Sequence, residues 1–479
     1  MGWFSAPEYW LGRLVLERGT AAIYLIAFVA AAAQFRALIG EHGILPVPRF
    51  LAGQSFWRTP SVFHLRYSDR LFAAVSWFGA ALSAALVAGA ADSVPLWAAM
   101  LMWLTLWMFY LSIVNVGQTW YAFGWESLLL ETGFLMIFLG NDRVAPPALT
   151  LWMARLLLFR VEFGAGLIKM RGDSCWRDLT CLYYHHETQP MPGPLSWFFH
   201  HLPKPLHRIE VAGNHVAQLV VPFGLFAPQP VAGVAAAVIV VTQLWLVASG
   251  NFAWLNWVTI LLACSAIDDS SAARLIRMPA PPALSVPPPW FVVLVIMFTV
   301  AVLFMSYWPV RNMLSSHQRM NKSFNSFHLV NTYGAFGSIG RIRREVVIEG
   351  TEDANITEQT VWKEYEFKGK PGVVRRVPRQ WAPYHLRLDW LMWFAAISPG
   401  YAQPWLIPFL RRLLRNDRPT LRLLRHNPFP ESPPRYVRAQ LYQYRFTTAA
   451  EVWHDRAWWH RTLVNRYVPP MALPTVTSQ

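Results

Sequence analysis

Charge is scarce in this chain. Of its 479 residues only 14% are Asp, Glu, Lys or Arg, whereas 54% are hydrophobic. An ordinary soluble protein of this length carries charge on about a quarter of its residues, so that class is disfavoured at once. Acidic residues are the scarcer sign, 27 against 42 Lys+Arg, for a formal charge of +15. Cysteine is nearly absent: Cys175 and Cys181 share one loop and Cys264 falls in an apolar run. The loop pair could form a disulfide, which would suit an oxidising compartment, or remain two free thiols. No nucleophile elbow, phosphate loop or dinucleotide fingerprint is present. Nor is a cleavable signal peptide evident. The first apolar run follows WLGRLVLERG without a clear small-residue cleavage site and reads as a retained anchor.

What the chain has in abundance is apolar runs. They lie near 20–39, 71–91, 94–115, 121–140, 147–170, 209–227, 230–249, 252–267 and 290–308. A bilayer span needs ~20 residues, so about nine spans are expected, the short 252–267 run being tilted or re-entrant. The run 147–170 differs from the rest because it carries Arg155, Arg160, Glu162 and Lys169. Arg155, Glu162 and Lys169 recur every seventh residue, and at ~100° per residue they share one helix stripe. Charges facing lipid are costly, so this stripe should face the bundle interior.

Seven residues rise ~10.5 Å along a helix, near the limit for two long side chains to meet. Glu126 and Glu131 of the preceding run are therefore the expected partners for these cations. Glu126, Glu131, Arg155, Glu162 and Lys169 together read as a static buried ion network. Lys169 is the sharpest chemical alternative, since a buried amine can become a base near neutral pH; Glu162 could hold a proton beside it. The plainer alternative is that Lys169 snorkels from the end of its span. No catalytic residue is assigned.

The loop 171–208 collects His185, His186, Glu187, His200, His201 and His207. Their spacings match no standard zinc signature, and adjacent histidines usually diverge. A loop held by Trp176, Arg177, Asp178 and the Pro-rich stretch, with no metal and no cofactor, is the expectation.

The character of the chain changes near residue 310. Residues 310–479 hold 25 Lys+Arg and 12 Asp+Glu, a difference of +13. Two domains are expected: a polytopic transmembrane domain over 1–309 and a basic soluble α+β domain over 310–479. Segments 324–333, 341–349 and 361–368 have strand composition and are bounded by the turns YGAFG, EGT and KGKPG. LDWLMWFAAI reads as a helix. PWLIPFLRRLLRNDRPTLRLLRH is apolar on one side and Arg-rich on the other, fit to lie on a membrane surface or to cover the sheet. The expected fold is thus an α-helical multi-pass membrane bundle followed by an α+β soluble domain with a small antiparallel sheet. Membrane lipids, not nucleic acid, are the expected partner of the basic part, because its Arg residues are interleaved with Leu and Trp. The positive-inside rule puts this part and the loops 40–70 and 171–208 in the cytoplasm.

The stretches NTYGAFGSIGRIRREVVIEGT, WKEYEFKGKPG, YHLRLDWLMWFAAI and NPFPESPPRYVRAQLYQYRF resemble the lipase maturation factor family. So do FGWESLLLETGFL and LIKMRGDSCWRDLTCLYYHHETQPMPGPLSW upstream; the matching blocks run from roughly residue 117 to 446. The resemblance implies a chaperone-like factor, not an enzyme, that brings secreted lipases to their active fold. Its partner is a secreted client protein, lipase-like in the animal relatives. It implies the endoplasmic reticulum membrane in an animal, with the soluble domain luminal, opposite to the charge count. In a bacterium it implies the cytoplasmic membrane and a periplasmic domain, with a client that need not be a lipase.

Within the C-terminal part Asn331, Tyr333, Gly334, Arg387, Asp389, Trp390 and Trp393 carry the resemblance. The glycines are expected at turns needing positive φ. Asp389 is expected to cap the following helix or to pair with Arg387, with client contact by exposed Trp or Tyr as the alternative. A second, shorter stretch, FGAGLIKMRGDSCW, is similar to a segment of vitamin K-dependent gamma-carboxylase and the horizontally transferred transmembrane domain group. There a lysine is a proposed base, and Lys169 is the matching position. That likeness implies an integral membrane enzyme as the alternative. A lipid or small-molecule conduit is a third reading, without an obvious inverted repeat to support it.

Overall fold

A computed structural model describes residues 2–274 and 283–474. Its helical part contains α1 (Trp10–Leu38), α2 (Asp69–Ala88), α3 (Leu96–Val116), α4 (Gly124–Met136), α5 (Ala148–Arg171), α6 (Lys204–Leu219), α7 (Val231–Ser249), α8 (Leu255–Ala263) and α9 (Pro289–Met305). Each expected apolar run therefore holds a helix, although fewer than nine of these helices have the length and apolarity of a span by themselves. Five among the described residues are long and apolar enough to cross a bilayer: Pro7–Leu38, Asp69–Ala88, Leu96–Val116, Val231–Ser249 and Pro289–Leu314.

The other four fall short for identifiable reasons. Helices α4 and α8 have 13 and 9 residues, and at ~1.5 Å per residue neither covers a ~30 Å hydrocarbon layer. Helix α6 breaks at Val220, ahead of Pro222, where proline cannot continue the ladder. Helix α5 is long enough at 24 residues but carries Arg155, Arg160, Glu162, Lys169 and Arg171.

Burial orders the bundle. In α1 61% of the most apolar window is buried inside the protein, against 28% in α7. Helix α1 is thus central and α7 peripheral. Helix α2 starts with Ser68 accepting from the Leu71 amide and stops at Gly89, which adopts φ +98°, the left-handed conformation that favours glycine. Arg13 of α1, buried, donates to the carbonyls of Asn141 and Val144 at 2.6 and 2.7 Å and pairs with Asp142 at 2.6 Å. It ties the turn after α4 to the central helix.

The C-terminal part holds a four-stranded antiparallel sheet in the order β2-β1-β3-β4, formed by β1 (Arg343–Thr351), β2 (Lys363–Glu364), β3 (Tyr436–Phe446) and β4 (Trp459–Met471). Strands β1 and β3 pair from Arg343 opposite Tyr444 to Thr351 opposite Tyr436. The expected strand at 341–349 is present and that at 361–368 shrinks to two residues. The one expected at 324–333 is an irregular segment instead. His328 and Val330 adopt φ of 53° and 54° there, outside the extended region. The Asn331 amide donates to the Glu131 carboxylate rather than to a neighbouring strand. Strands β3 and β4, the two longest, were not expected.

Helix α10 (Arg387–Ile397) matches the LDWLMWFAAI expectation, and α11 (Leu406–Leu414) is the amphipathic segment. Leu406, Phe409, Leu410 and Leu413 of α11 are buried, with Phe409 against Phe367 and Trp405. The apolar side of α11 thus covers the protein core. One apolar core runs continuously from α1 and α4 into β1, β3 and α11.

Candidate functional site

The polar interior and the C-terminal part meet along a buried seam. Glu126 sits in the first turn of α4 and Arg387 in the first turn of α10, both inaccessible to solvent. Arg387 Nη1 donates to Glu126 Oε1 at 2.5 Å and to the Trp120 carbonyl at 2.9 Å. The guanidinium carbon lies 3.5 Å from the centroid of the Tyr121 ring, a cation–π arrangement strengthened by desolvation. Tyr110 donates its hydroxyl to Glu126 Oε2. His385 completes the pocket, 3.4 Å from Glu126 and flanked by Phe123, Trp125 and Trp254. Burial, reinforced by Arg387, holds the His385 imidazole down to about 4, so it is neutral.

A second knot lies five residues further along α4, at Glu131. Arg160 of α5 pairs with Glu131 of α4 and donates to the Asn331 carbonyl at 2.8 Å. The amide and side chain of Asn331 both reach Glu131 Oε2 at 3.0 Å, and the Tyr333 hydroxyl reaches it at 2.8 Å. A carboxylate with this many donors is held by hydrogen bonds as well as by charge. The segment 331–337 lies directly on α5. A Cβ on Gly164 would stand 2.5 Å from the Tyr333 carbonyl, and one on Gly172 2.0 Å from the Gly337 carbonyl. Gly334 itself departs from the expected role: the glycines with positive φ among the described residues are Gly89 and Gly140. Its small size instead admits Met320 and Ile168, which a Cβ would meet at 3.1 and 3.3 Å.

The stripe residues of α5 are all buried, but they are not paired with the expected acids. Arg155 donates to the Ser265 carbonyl at 2.8 and 3.0 Å and lies over the rings of Tyr9 and Trp152. Glu162 accepts from Gln243 at 2.6 Å. Lys169 donates to Asn214 and Gln218 at 2.9 and 2.8 Å and faces the Trp176 ring. Glu131 takes Arg160, which is off the stripe, and Glu126 takes Arg387 from the far end of the chain.

Asp389 neither caps α10 nor pairs with Arg387. Its Oδ1 accepts from the amides of Gly369 and Lys370 at 2.6 and 3.0 Å, which fixes the KGKPG turn against the helix. Burial pushes its carboxyl up, and those two amides oppose the shift. Trp390 is buried against Trp125, and Trp393 donates to the Thr188 carbonyl. Tyr333 is also buried, and Trp393 is partly buried.

The loop after α5 is anchored as well. Cys175 and Cys181 are disulfide-linked. Asp173 pairs with Arg341 at 2.9 Å, which holds its carboxyl below the usual range. Trp176 donates to the Phe336 carbonyl. The adjacent histidines diverge: His185 packs on Phe252 and Phe336, whereas His186 turns toward His207 and Glu210. Glu210 was missed in the sequence because it lies beyond the histidine loop, on α6. The described surface also carries a groove of about 430 Å³ between α10, α11 and β4, lined by Ile397, Leu406, Ile407, Leu441, Tyr467 and Val468.

Apolar spanning helices, opposite charges buried among them and a basic sheet part keyed into the same seam define a polytopic membrane protein with a docked C-terminal domain. Residues 11–274 match the family model described as the lipase maturation factor transmembrane domain, and residues 329–469 that of the lipase maturation factor C-terminal domain. The chain belongs to the lipase maturation factor family. It is 40% identical to lipase maturation factor 1 of Homo sapiens over 97% of its own length and 88% of that protein. Against lipase maturation factor 2 of Xenopus laevis the identity is 28%, over 97% of this chain and 83% of the relative. No solved structure matches it.

Proposed function

We propose that the protein is a membrane-embedded maturation factor that holds a secreted, lipase-like client beside the membrane while it folds or assembles. The names of its relatives supply the client class. The observation that carries the reading is the Glu126–Arg387 pair, which makes the bundle a frame for the C-terminal domain. The groove between α10, α11 and β4 is the client-facing surface in this reading, since it is apolar and Ile397 is 54% exposed. The domain faces the lumen of the endoplasmic reticulum in a eukaryotic cell, or the periplasm in a bacterial one. A Cys175–Cys181 disulfide supports an oxidising side.

The enzymatic alternative requires Lys169 as a base. Its amine is committed to two amide oxygens and an indole face, which favours a structural role. The test is secreted, active client per unit of membrane protein, with each variant first matched for abundance. Lys169→Met retains most maturation, whereas Ile397→Arg in the groove loses it. An abundant, folded and inactive Lys169→Met beside a working Ile397→Arg overturns the reading in favour of a base-catalysed reaction in the bundle.

A further inference from the structure

His186 lies in the last turn of the short helix Leu182–Thr188, which directly follows the Cys175–Cys181 disulfide. His207 and Glu210 stand three residues apart near the start of α6, a spacing that places both on one helix face. The fold brings the three together: one donor atom from each lies within 4.8 Å of the others. Glu210 Oε2 is 3.8 Å from His186 Nε2 and 3.8 Å from His207 Nδ1. These separations are too long for hydrogen bonds. They are close to the ~3.3 Å that neighbouring donors adopt around a tetrahedral ion with ligand bonds of ~2.0–2.1 Å.

All three converging atoms are buried and lack a hydrogen-bond partner among the described residues. The histidines are almost fully enclosed, at 1% and 2% exposure. Leaving a buried polar atom unpartnered is costly, so three aimed at one point call for a common partner. Two of the three groups have outer contacts, whereas His186 Nδ1 has no partner among the described residues. Glu210 Oε1 accepts from Trp245 Nε1 at 2.6 Å, and the far nitrogen of His207 lies 3.4 Å from the His200 carbonyl. Such outer contacts orient ligands and fix the tautomer that leaves Nδ1 free to bind.

We propose that His186, His207 and Glu210 bind a divalent cation of the zinc class. Two imidazole nitrogens and one carboxylate oxygen suit zinc, whereas calcium and magnesium take oxygen sets. The partly open side of the cluster is at Glu210, and a water there completes the four ligands. The ion clamps the disulfide-bearing loop onto α6 and so fixes the face on which Trp176 and Phe336 meet.

The full chain, purified in detergent through a tag without histidine, is stripped with EDTA, reloaded with Zn²⁺ and desalted. Metal analysis then finds about one zinc per chain, as a built site requires. Co²⁺ in its place gives the intense visible absorption of a tetrahedral centre. His207→Gln or Glu210→Gln lowers retained zinc at least ~10-fold, and His201→Gln, altering an exposed neighbour, leaves it intact. Zinc well below one per native chain overturns the proposal, as does equal loss in the His201 variant. Should the ligand variants fail to purify, the cobalt spectrum of the native chain decides alone, and absence of those bands overturns it.

Discussion

Glu126 and Arg387 stand 261 positions apart in sequence, and their side chains meet at 2.5 Å with no solvent on either. The contact joins the first turn of a bundle helix to the first turn of a helix in the sheet part. Breaking such a pair leaves a buried charge alone, at a cost of ~3–5 kcal/mol. Arg387→Met therefore lowers the thermal unfolding temperature of the detergent-solubilised protein strongly. Glu126→Leu combined with Arg387→Met recovers part of the loss, because no lone charge remains. A double-mutant cycle should return a coupling of ~0.5–3 kcal/mol; strict additivity would mean that the two side chains do not interact.

Gly164 and Gly213 make a matched pair of substitutions. A Cβ at Gly164 meets the Tyr333 carbonyl at 2.5 Å, whereas at Gly213 nothing lies within 4 Å. Gly164→Ala must push the 331–337 segment off α5 and destabilises by ~1–3 kcal/mol. Gly213→Ala stabilises by ~0.5–1 kcal/mol through helix propensity. Thermal unfolding of the two variants beside the native chain reads both signs.

Sidedness can be read with two engineered thiols. Ser338 and Leu195 are exposed, whereas the nearby Ser196 is buried and unsuitable. Ser338→Cys and Leu195→Cys are made with Cys264→Ser and the Cys175–Cys181 pair left in place. Both label with a membrane-impermeant maleimide applied to intact spheroplasts expressing the chain. Labelling only after permeabilisation would put this face in the cytoplasm, as the positive-inside count has it.

Stability should fall as the solution is acidified from neutrality. His328, set between Ser127 and Asn115 with Glu126 nearby, and His385, between Glu126 and Arg387, are both held down to about 4 by burial. In the unfolded chain each titrates near 6.5. Between about 6.5 and 4 the unfolded state therefore binds more protons, and stability rises with pH. The contribution of these two groups is complete above about 6.5 and is lost progressively down to about 4. Unfolding temperatures measured from pH 7.5 to 4 should decline over this window. His328→Gln and His385→Gln should each flatten the slope, and an unchanged slope in both would remove these histidines as the cause.

Which side of a helix turns inward was legible from residue spacing. The seven-residue recurrence of Arg155, Glu162 and Lys169 required that stripe to turn inward, because lipid tolerates no such charges, and all three are enclosed. Helix α10 and strand β1 were legible because their apolar pattern is local. Pairing was not legible, since periodicity reports the side of a helix and not what stands opposite. Glu131 takes Arg160 rather than a stripe cation, and Glu126 takes Arg387. Strands β3 and β4 interleave Arg, Gln and Tyr with apolar residues; β3 finds its ladder on β1, and β4 finds its own on β3. Composition did not show where an apolar run breaks, for the 121–140 run folds as a 13-residue helix and a turn pinned by Arg13. His186, His207 and Glu210 converge only after two helices pack side by side, and no spacing along one chain can encode the distance between two packed elements.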